Sequence, residues 1–301
     1  MPELLHGESE AAWRPLRALK LATELSIVIL AVEAVGAYLS HSLSLTVDAA
    51  HNVPDILAFA VSWTALQATE HGATAKYTYG AHRLEVFAAL LNAALVLGVG
   101  VGFGYVAITA LLVNGSFFGS IDPIWILAAA IPTLALRYVS LSVIARLPRQ
   151  ARDLNLASVL VHLASDLLIT GALLIAGILL LVHPSFHGAD AGAALVIAAI
   201  LVYESIPLFR GGWEVLTERT PRHLSLEAIG QSLRSAGGVS EVHDLHVWAV
   251  CPTLVCMTAH LIVPEMSLRD SMRVVAKLRR RMEAEYGILH ATFEVEAVGP
   301  G

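Results

Sequence analysis

The chain has 301 residues, of which 56% are hydrophobic and 15% charged, and its formal net charge is −6 at pH 7. Soluble domains average about 45–50% apolar and about 25% charged residues, so this composition excludes an ordinary soluble protein and indicates a membrane protein. The small net charge predicts no nucleic-acid partner. Two cysteines, Cys251 and Cys256, are too few for a disulfide framework.

Six apolar stretches are long enough to cross a bilayer, which takes about 20 mostly apolar residues. In chain order they are Leu19–Leu39, Val47–Ala68, Val86–Val113, Ile124–Ala145, Ala157–Val182 and Ala191–Leu208. Before the last stretch, Gly188 and Gly192 are expected to keep the link out of a helix. We therefore predict an N-terminal segment of residues 1–18 and a six-helix transmembrane domain of residues 19–210.

Lysine and arginine lie before or at the start of the first stretch and in every second link after it, and the other three links contain neither. They are Arg14, Arg17, Lys20, Lys76, Arg83, Arg146, Arg149, Arg152 and Arg210. Because positively charged loops stay in the cytoplasm, both termini are predicted to be cytoplasmic. Arg137 is deeper, inside the fourth stretch, and marks either a cytoplasmic extension of that helix or a residue facing the bundle interior.

From about Gly211 the composition is that of a soluble domain. The expected elements are a helix at Ser225–Ala236, strands at Glu241–Ala249 and Leu254–Val263, a helix at Leu268–Tyr286 and a strand at Ala291–Ala297. The first strand alternates apolar and polar residues, as a half-buried strand does. The αββαβ order predicts a small open-faced α/β sandwich over residues 211–301.

Two of the six stretches contain the same pair of ionisable residues, His51 with Asp55 and His162 with Asp166. Residues four apart share one helix face. Two such faces would offer two nitrogen and two oxygen ligands, which suits zinc, cobalt or nickel and fits calcium or magnesium poorly. The alternative is structural, because an intramembrane histidine also forms helix–helix hydrogen bonds and a His–Asp pair neutralises itself.

Asp48 shares the helix face of His51 and Asp55. It is predicted to orient His51, to relay ions, or only to belong to the helix start, where Asp is favourable. Pro54 cannot donate to the carbonyl of Ala50 and is expected to kink the helix. Three further polar residues inside the stretches are expected to be structural or to lie on a proton path: Glu33, Asn92 and Glu204.

Several motifs, in order along nearly the whole chain, resemble the cation diffusion facilitator family of metal/proton antiporters. They are Ser42–Asp55, Tyr77–Asn92, Asn155-Leu156 followed by His162 and Asp166, Thr220-Pro221 and Val242–Trp248. The resemblance implies a homodimer in the cell inner (plasma) membrane, with a cytoplasmic ferredoxin-like αββαβ domain on each subunit. It also implies export of metal in exchange for protons, with His51, Asp55, His162 and Asp166 as a transport site that prefers zinc.

The resemblance further implies a regulatory zinc site in the cytoplasmic domain at His243, His260 and His290. These three histidines lie on different predicted strands and either converge or are solvated strand-end residues. His246 is expected to face away from His243 by strand alternation. A further histidine of some relatives' regulatory site aligns with Arg273. The membrane-surface metal site of other relatives aligns with Tyr77 and Ala81, so the membrane-surface site is predicted to be absent. The short link from Arg146 to Arg152 indicates a bacterial-type short form.

The expected mechanism is alternating access around the four-residue site, with Zn²⁺ as substrate and possible regulatory ligand and with protons as counter-ion. An alternative carrier would move cobalt, nickel, cadmium or iron. A membrane-anchored metal sensor would have no need of the His–Asp pairs. A metalloenzyme needs an open metal position and a general base, and no His-Glu-x-x-His motif occurs, so the protein is predicted not to be an enzyme.

Overall fold

The computed structural model describes residues 4–70, 75, 77–80, 82–113, 119–146, 154–186, 188–252 and 254–297, and only the backbone of residues 4–19, 22, 58–70 and 154–159. The described elements are α1 (Leu4–Ser40), α2 (Leu43–Glu70), α3 (Arg83–Leu112), α4 (Pro123–Ala145), α5 (Leu154–Val182), α6 (Gly188–Leu216), α7 (Leu226–Arg234), β1 (Glu241–Cys251), β2 (Leu254–Val263), α8 (Leu268–Tyr286) and β3 (Ile288–Ala297). His71, Lys76, Ala81 and most of the link between α4 and α5, including Arg149 and Arg152, lie outside the described residues.

Five of the helices are long and apolar enough to cross a membrane, which makes this a multi-pass membrane protein. The apolar segments are Thr23–Ser40, Arg83–Leu112, Pro123–Ala145, Leu160–Val182 and Gly188–Leu216. The helix α2 is as long as the others, but the polar side chains around His51 lower its mean hydropathy. The sixth span therefore stays a prediction.

The expected helix break at Gly188 and Gly192 is wrong. The helix α6 begins at Gly188, so Gly188 and Gly192 lie inside it, and it continues through Gly211 and Gly212 to Leu216. The physical reason is the solvent: lipid offers no hydrogen bonds, so a backbone that enters it stays helical even where glycine would end a helix in water. The helix α1 begins at Leu4 and therefore extends to the N-terminal side of the first apolar stretch.

The chain forms two compact units, of which the first comprises residues 1–61 and 91–207. Its core is apolar and contains Leu43, Leu45, Val47, Val96, Ala107, Ala129, Ala130, Ile169, Leu173, Ala194, Ile197 and Leu201. The helices α1 and α4 approach closely at Gly36, where an added Cβ would lie 2.6 Å from the Cβ of Ala129 and 3.0 Å from Leu45 Cδ2. Such an approach is open only to glycine.

The N-terminus of α2 is capped by a carboxylate from another helix. Asp190, in the first turn of α6, accepts hydrogen bonds from the backbone N–H groups of Leu43 (2.7 Å) and Ser44 (3.2 Å). It also accepts from the hydroxyls of Ser42 (2.6 Å) and Ser44 (2.5 Å). The first N–H groups of a helix have no intrahelical partner and attract negative charge, so Asp190 fixes the position of α2 against α6.

The second unit comprises residues 62–90 and 208–301 and contains a three-stranded sheet with β2 in the centre. β1 is antiparallel to β2, and β3 is parallel to it. The helices α7 and α8 contribute Ile229, Leu233, Leu278 and Met282 to the core on one side of the sheet. Ser225 and Ser267 cap the two helices at their N-termini. The predicted αββαβ order is confirmed.

Candidate metal centre

The helices α2 and α5 bring the four predicted transport residues together. The Oδ2 atom of Asp55 lies 3.4 Å from His51 Nε2 and 3.3 Å from His162 Nε2. The Oδ1 atom of Asp166 lies 3.6 Å from the same nitrogen of His51. Ligands about 2.0–2.1 Å from a tetrahedral zinc ion are about 3.3–3.4 Å from one another, so these separations suit a shared ion.

Several donor atoms of this group are buried and have no hydrogen-bond partner. His51, Asp55 and Asp166 are at most 8% exposed, and the His162 side chain is 29% exposed. Within the described part of the chain, both ring nitrogens of His51 and the Oδ1 atom of Asp166 have no hydrogen-bond partner. Buried polar atoms are nearly always paired, so a cluster of unpaired donors points to a ligand. Nitrogen and carboxylate oxygen favour zinc and related transition metals.

A buried ion cluster adjoins the group. Arg137 faces the interior of the bundle, the second of its two predicted placements, and is 1% exposed. Its Nη2 donates to Asp48 Oδ1 (2.8 Å) and Glu33 Oε1 (3.2 Å), and its Nη1 donates to the backbone carbonyl of Asp166 (2.8 Å) and to Thr170 Oγ1 (2.6 Å). One guanidinium thus ties α4 to α1, α2 and α5.

Asp48 belongs to this cluster rather than to the coordination of His51. Its carboxylate accepts from Arg137, whereas His51 has no hydrogen bond to it. Asn52 completes the cluster by donating to Glu33 Oε2 (2.5 Å) and to the backbone carbonyl of Asp48 (3.1 Å). Of the predicted roles for Asp48, orientation of His51 has no support in these contacts.

The other intramembrane polar residues are placed differently. Glu204 Oε2 lies 4.0 Å from His162 Nδ1, on the edge of the four-residue group and away from Arg137. The Oδ1 atom of Asn92 is buried and has no hydrogen-bond partner among the described residues. The helix α2 continues through Pro54, which lies between the two ligand candidates His51 and Asp55.

A second group of histidines and carboxylates lies on the sheet of the C-terminal unit. It occupies the face opposite the helices because β1 contains a bulge: His243 pairs with His260 and His246 with Thr258, so two residues of β1 oppose one of β2. The expectation that His246 faces away from His243 is wrong, since the extra residue returns both to one face. The extra residue is Asp244, whose φ is 48°.

His243, His260 and Glu296 form the tightest part of this group. Glu296 is hydrogen-bonded to His260 Nδ1 at 2.7 Å and to His243 Nε2 at 3.1 Å, and one ligand atom from each residue lies within 4.8 Å of the others. His290 does not join them; it pairs with Cys256 in the sheet and its ring stands edge-on to Tyr79 at 5.7 Å. Within one chain, the three predicted histidines therefore do not converge.

Hydrogen bonds shift the ionisation of this exposed group. The bond to Glu296 raises the pKa of His260, and the bonds from His260 and His243 lower the pKa of Glu296. The bond to His246, at 2.9 Å, lowers the pKa of Asp244. The Oδ2 atom of Asp244 also lies 3.4 Å from His260 Nε2. The carboxylates of Glu296 and Asp244 thus stay ionised to lower pH than free carboxyl groups, and His260 holds its proton more strongly than free imidazole.

Comparison with known protein families identifies the family of this chain. Residues 19–217 match the family described as "Cation efflux transmembrane domain", and residues 221–298 match "Cation efflux protein, cytoplasmic domain". The chain belongs to the cation efflux family. The predicted membership of the cation diffusion facilitators is thereby confirmed, as is a transport rather than an enzymatic role.

Known relatives are similar over most of this cation efflux chain. It is 28% identical to "Metal cation efflux system protein CzcD" of Cupriavidus metallidurans, covering 93% of this chain and 86% of that one. It is 28% identical to human "Probable proton-coupled zinc antiporter SLC30A3", covering 99% and 79%. It is 24% identical to "Cadmium, cobalt and zinc/H(+)-K(+) antiporter" of Bacillus subtilis, covering 88% and 84%.

Proposed function

We propose that this cation efflux protein exports Zn²⁺ in exchange for protons and binds the ion at His51, Asp55, His162 and Asp166. The observation that carries the proposal is the set of separations between the donor atoms, 3.3, 3.4 and 3.6 Å. These equal, within a few tenths of an ångström, the spacing of ligands around one tetrahedral zinc ion. Family membership supports the transport of a metal cation, and the relative named as a zinc antiporter supports zinc.

Proton exchange follows from the ligand chemistry. A histidine must be neutral to bind metal, so metal binding at His51 and His162 releases protons, and protonation of the site expels metal. Alternating access would let the site load metal on one side and protons on the other. Outward movement of Zn²⁺ against one proton carries one net charge, which costs about 2.3 kcal/mol per 100 mV of inside-negative potential, supplied by the proton or metal gradient.

The proposed orientation has both termini in the cytoplasm of a cell whose inner (plasma) membrane holds the protein. This orientation is supported by the links between spans, because every second link contains Lys or Arg and the three links between them contain neither. The proposed domain limits are 1–18, 19–210 and 211–301.

A homodimer is proposed because the family matched by residues 221–298 bears the name ZT_dimer. The group around His260 is the proposed regulatory zinc site, with Glu296 in place of His290.

Transport of a metal other than zinc is the second candidate function. The same nitrogen and oxygen donors suit cobalt and nickel, and one relative is named for cadmium, cobalt and zinc. A carrier mainly for one of these ions, or for iron, would use the same four residues. We propose zinc as the main substrate because four ligands, two of them histidines, fill its coordination number.

Flux measurements in vesicles test the proposal. The purified full chain is reconstituted with a zinc-sensitive dye and a pH gradient, and zinc, cobalt, nickel and cadmium are offered in turn. We expect zinc flux that collapses with the gradient and is lost in Asp55→Asn and Asp166→Asn. The matched control is Asp122→Asn, which removes a carboxylate but retains the N-cap of α4.

Two results would count against the proposal in different ways. Unchanged zinc flux in both Asp55→Asn and Asp166→Asn would reject the site. Flux of another metal without zinc flux in the parent protein would reject only the choice of zinc.

A further inference from the structure

The ion cluster beside the metal centre contains one positive and two potentially negative groups. Arg137 is its cation, and Glu33 and Asp48, both 0% exposed, are its acids. All three are closed off from solvent, so water does not screen their charges. With both acids ionised, the cluster has a net charge of −1.

A buried charge without a counter-charge is costly, and a protein avoids that cost by neutralising the group. One proton on the two carboxyl groups would make the cluster neutral. Among the described residues, the carboxylate of Asp166 on α5 is the further charge that acts on Glu33 and Arg137. On α2, His51 and Asp55 share the helix face of Asp48. The carboxylate of Asp166 increases the preference for a neutral cluster.

The hydrogen bonds distinguish the two acids. Both oxygens of Glu33 accept hydrogen bonds, one from Arg137 and one from Asn52. Asp48 accepts from Arg137 through Oδ1, whereas its Oδ2 is buried and has no hydrogen-bond partner among the described residues. When two acids interact this strongly, the proton that they bind belongs to the pair rather than to either residue.

We propose that Asp48 and Glu33, both held by Arg137, share one proton that leaves when metal enters the site. The inference rests on the proposed function and adds to it a proton site that contains no metal ligand. Asp48 precedes His51 by three residues, about 4.5 Å along the helix axis, so a divalent ion there favours the ionised carboxylate. The proton passes to water on the side to which the site is open.

Linkage makes the coupling reciprocal: metal expels the proton shared by Asp48 and Glu33, and that proton weakens metal binding. Arg137 reinforces the connection because it holds both Asp48 Oδ1 and the backbone carbonyl of Asp166. Protons released by His51 and His162 would be counted separately. The protein would therefore release more protons per zinc ion than its two histidines provide.

The test counts protons released per zinc ion bound by the purified full chain in detergent. Titration calorimetry with zinc chloride in two buffers of different ionisation enthalpy gives that number. We expect Asp48→Asn and Glu33→Gln each to release about one proton fewer than the parent protein, because either change leaves Arg137 with at most one acid. The double variant should lose the same single proton rather than two. Thr170→Val is the matched control: it removes a hydrogen bond to Arg137 without changing a charge, and should keep the parent count.

A spectroscopic measurement on the parent protein removes any dependence on how well the variants fold. Infrared difference spectra should show the C=O stretch of a protonated carboxyl group disappearing when zinc is added. An unchanged proton count in both single variants, or the absence of that band change, would overturn the inference while leaving the transport site intact. Failure of the parent protein to bind zinc would instead overturn the proposed function on which the inference rests.

Discussion

Replacement of Arg137 by methionine should destabilise the transmembrane unit severely. The guanidinium is 1% exposed and donates four hydrogen bonds, two of them to the carboxylates of Glu33 and Asp48. Removal of one partner from a buried ion pair typically costs about 3–5 kcal/mol, because the remaining charge is left unpaired. No discount for solvent screening applies to groups this deep, so we expect a loss in that range, about a hundredfold or more in the folding equilibrium.

The measurement is the free energy of unfolding of the full chain in mixed micelles, followed by tryptophan fluorescence as the denaturant fraction rises. A triple variant, Arg137→Met with Glu33→Gln and Asp48→Asn, contains no charge in the cluster and should regain most of the loss. Arg146→Met, at an exposed position, should change stability by less than about 0.5 kcal/mol.

The reasoning would be refuted if Arg137→Met cost less than about 1 kcal/mol, or if the triple variant were as unstable as the single one. The first result would mean that the carboxylates find other counter-charges. The second would mean that packing of the long arginine side chain, rather than its charge, stabilises the bundle.

Three further outcomes follow from the structure. Asp190→Ala removes the cap of α2 and should cost about 2–4 kcal/mol in the same unfolding assay, since several hydrogen bonds to a charged group are lost; Asp190→Asn should cost less. The raised pKa of His260 stabilises the folded domain below about pH 6.5, and this contribution is lost as the pH rises above that value. Amide exchange in β2 and β3 should therefore quicken from pH 6 to 8.5, and it should quicken less in His260→Gln. Gly36→Ala should lower stability by about 1–3 kcal/mol through its clash with α4, whereas Gly171→Ala, with open space around it, should not; equal effects would contradict the close approach.

Helical periodicity explains why the two halves of the transport site could be predicted. Residues four apart share a face in any α-helix, so spacing alone places His51 with Asp55 and His162 with Asp166. Periodicity does not say which helices meet or how they are rotated. The two acidic partners of Arg137 and the cap formed by Asp190 depend on those placements. Each lies more than 80 residues away along the chain, which leaves no local signal.

The C-terminal unit shows the same limit on a smaller scale. Element order follows from local patterns, and the five elements lie close to their predicted positions. Glu296 was missed because a lone glutamate on a strand is ordinarily a solvated residue. The available signal was its alternation with Val295 on a strand that pairs with β2, which carries His260. Alternation misplaced His246 because a bulge adds one residue to the count.

The bulge also determines how the length of β1 can vary. Val242 points inward and His243 outward on one side of Asp244, and Leu245 and His246 do the same on the other. Deletion of Asp244 would therefore give a regular strand in which every remaining side chain keeps its face. Deletion of Val242 would instead turn Glu241 toward the core. A strand one residue shorter at this point is thus the change in length that the alternation of faces allows, at the loss of one carboxylate from the histidine-bearing face.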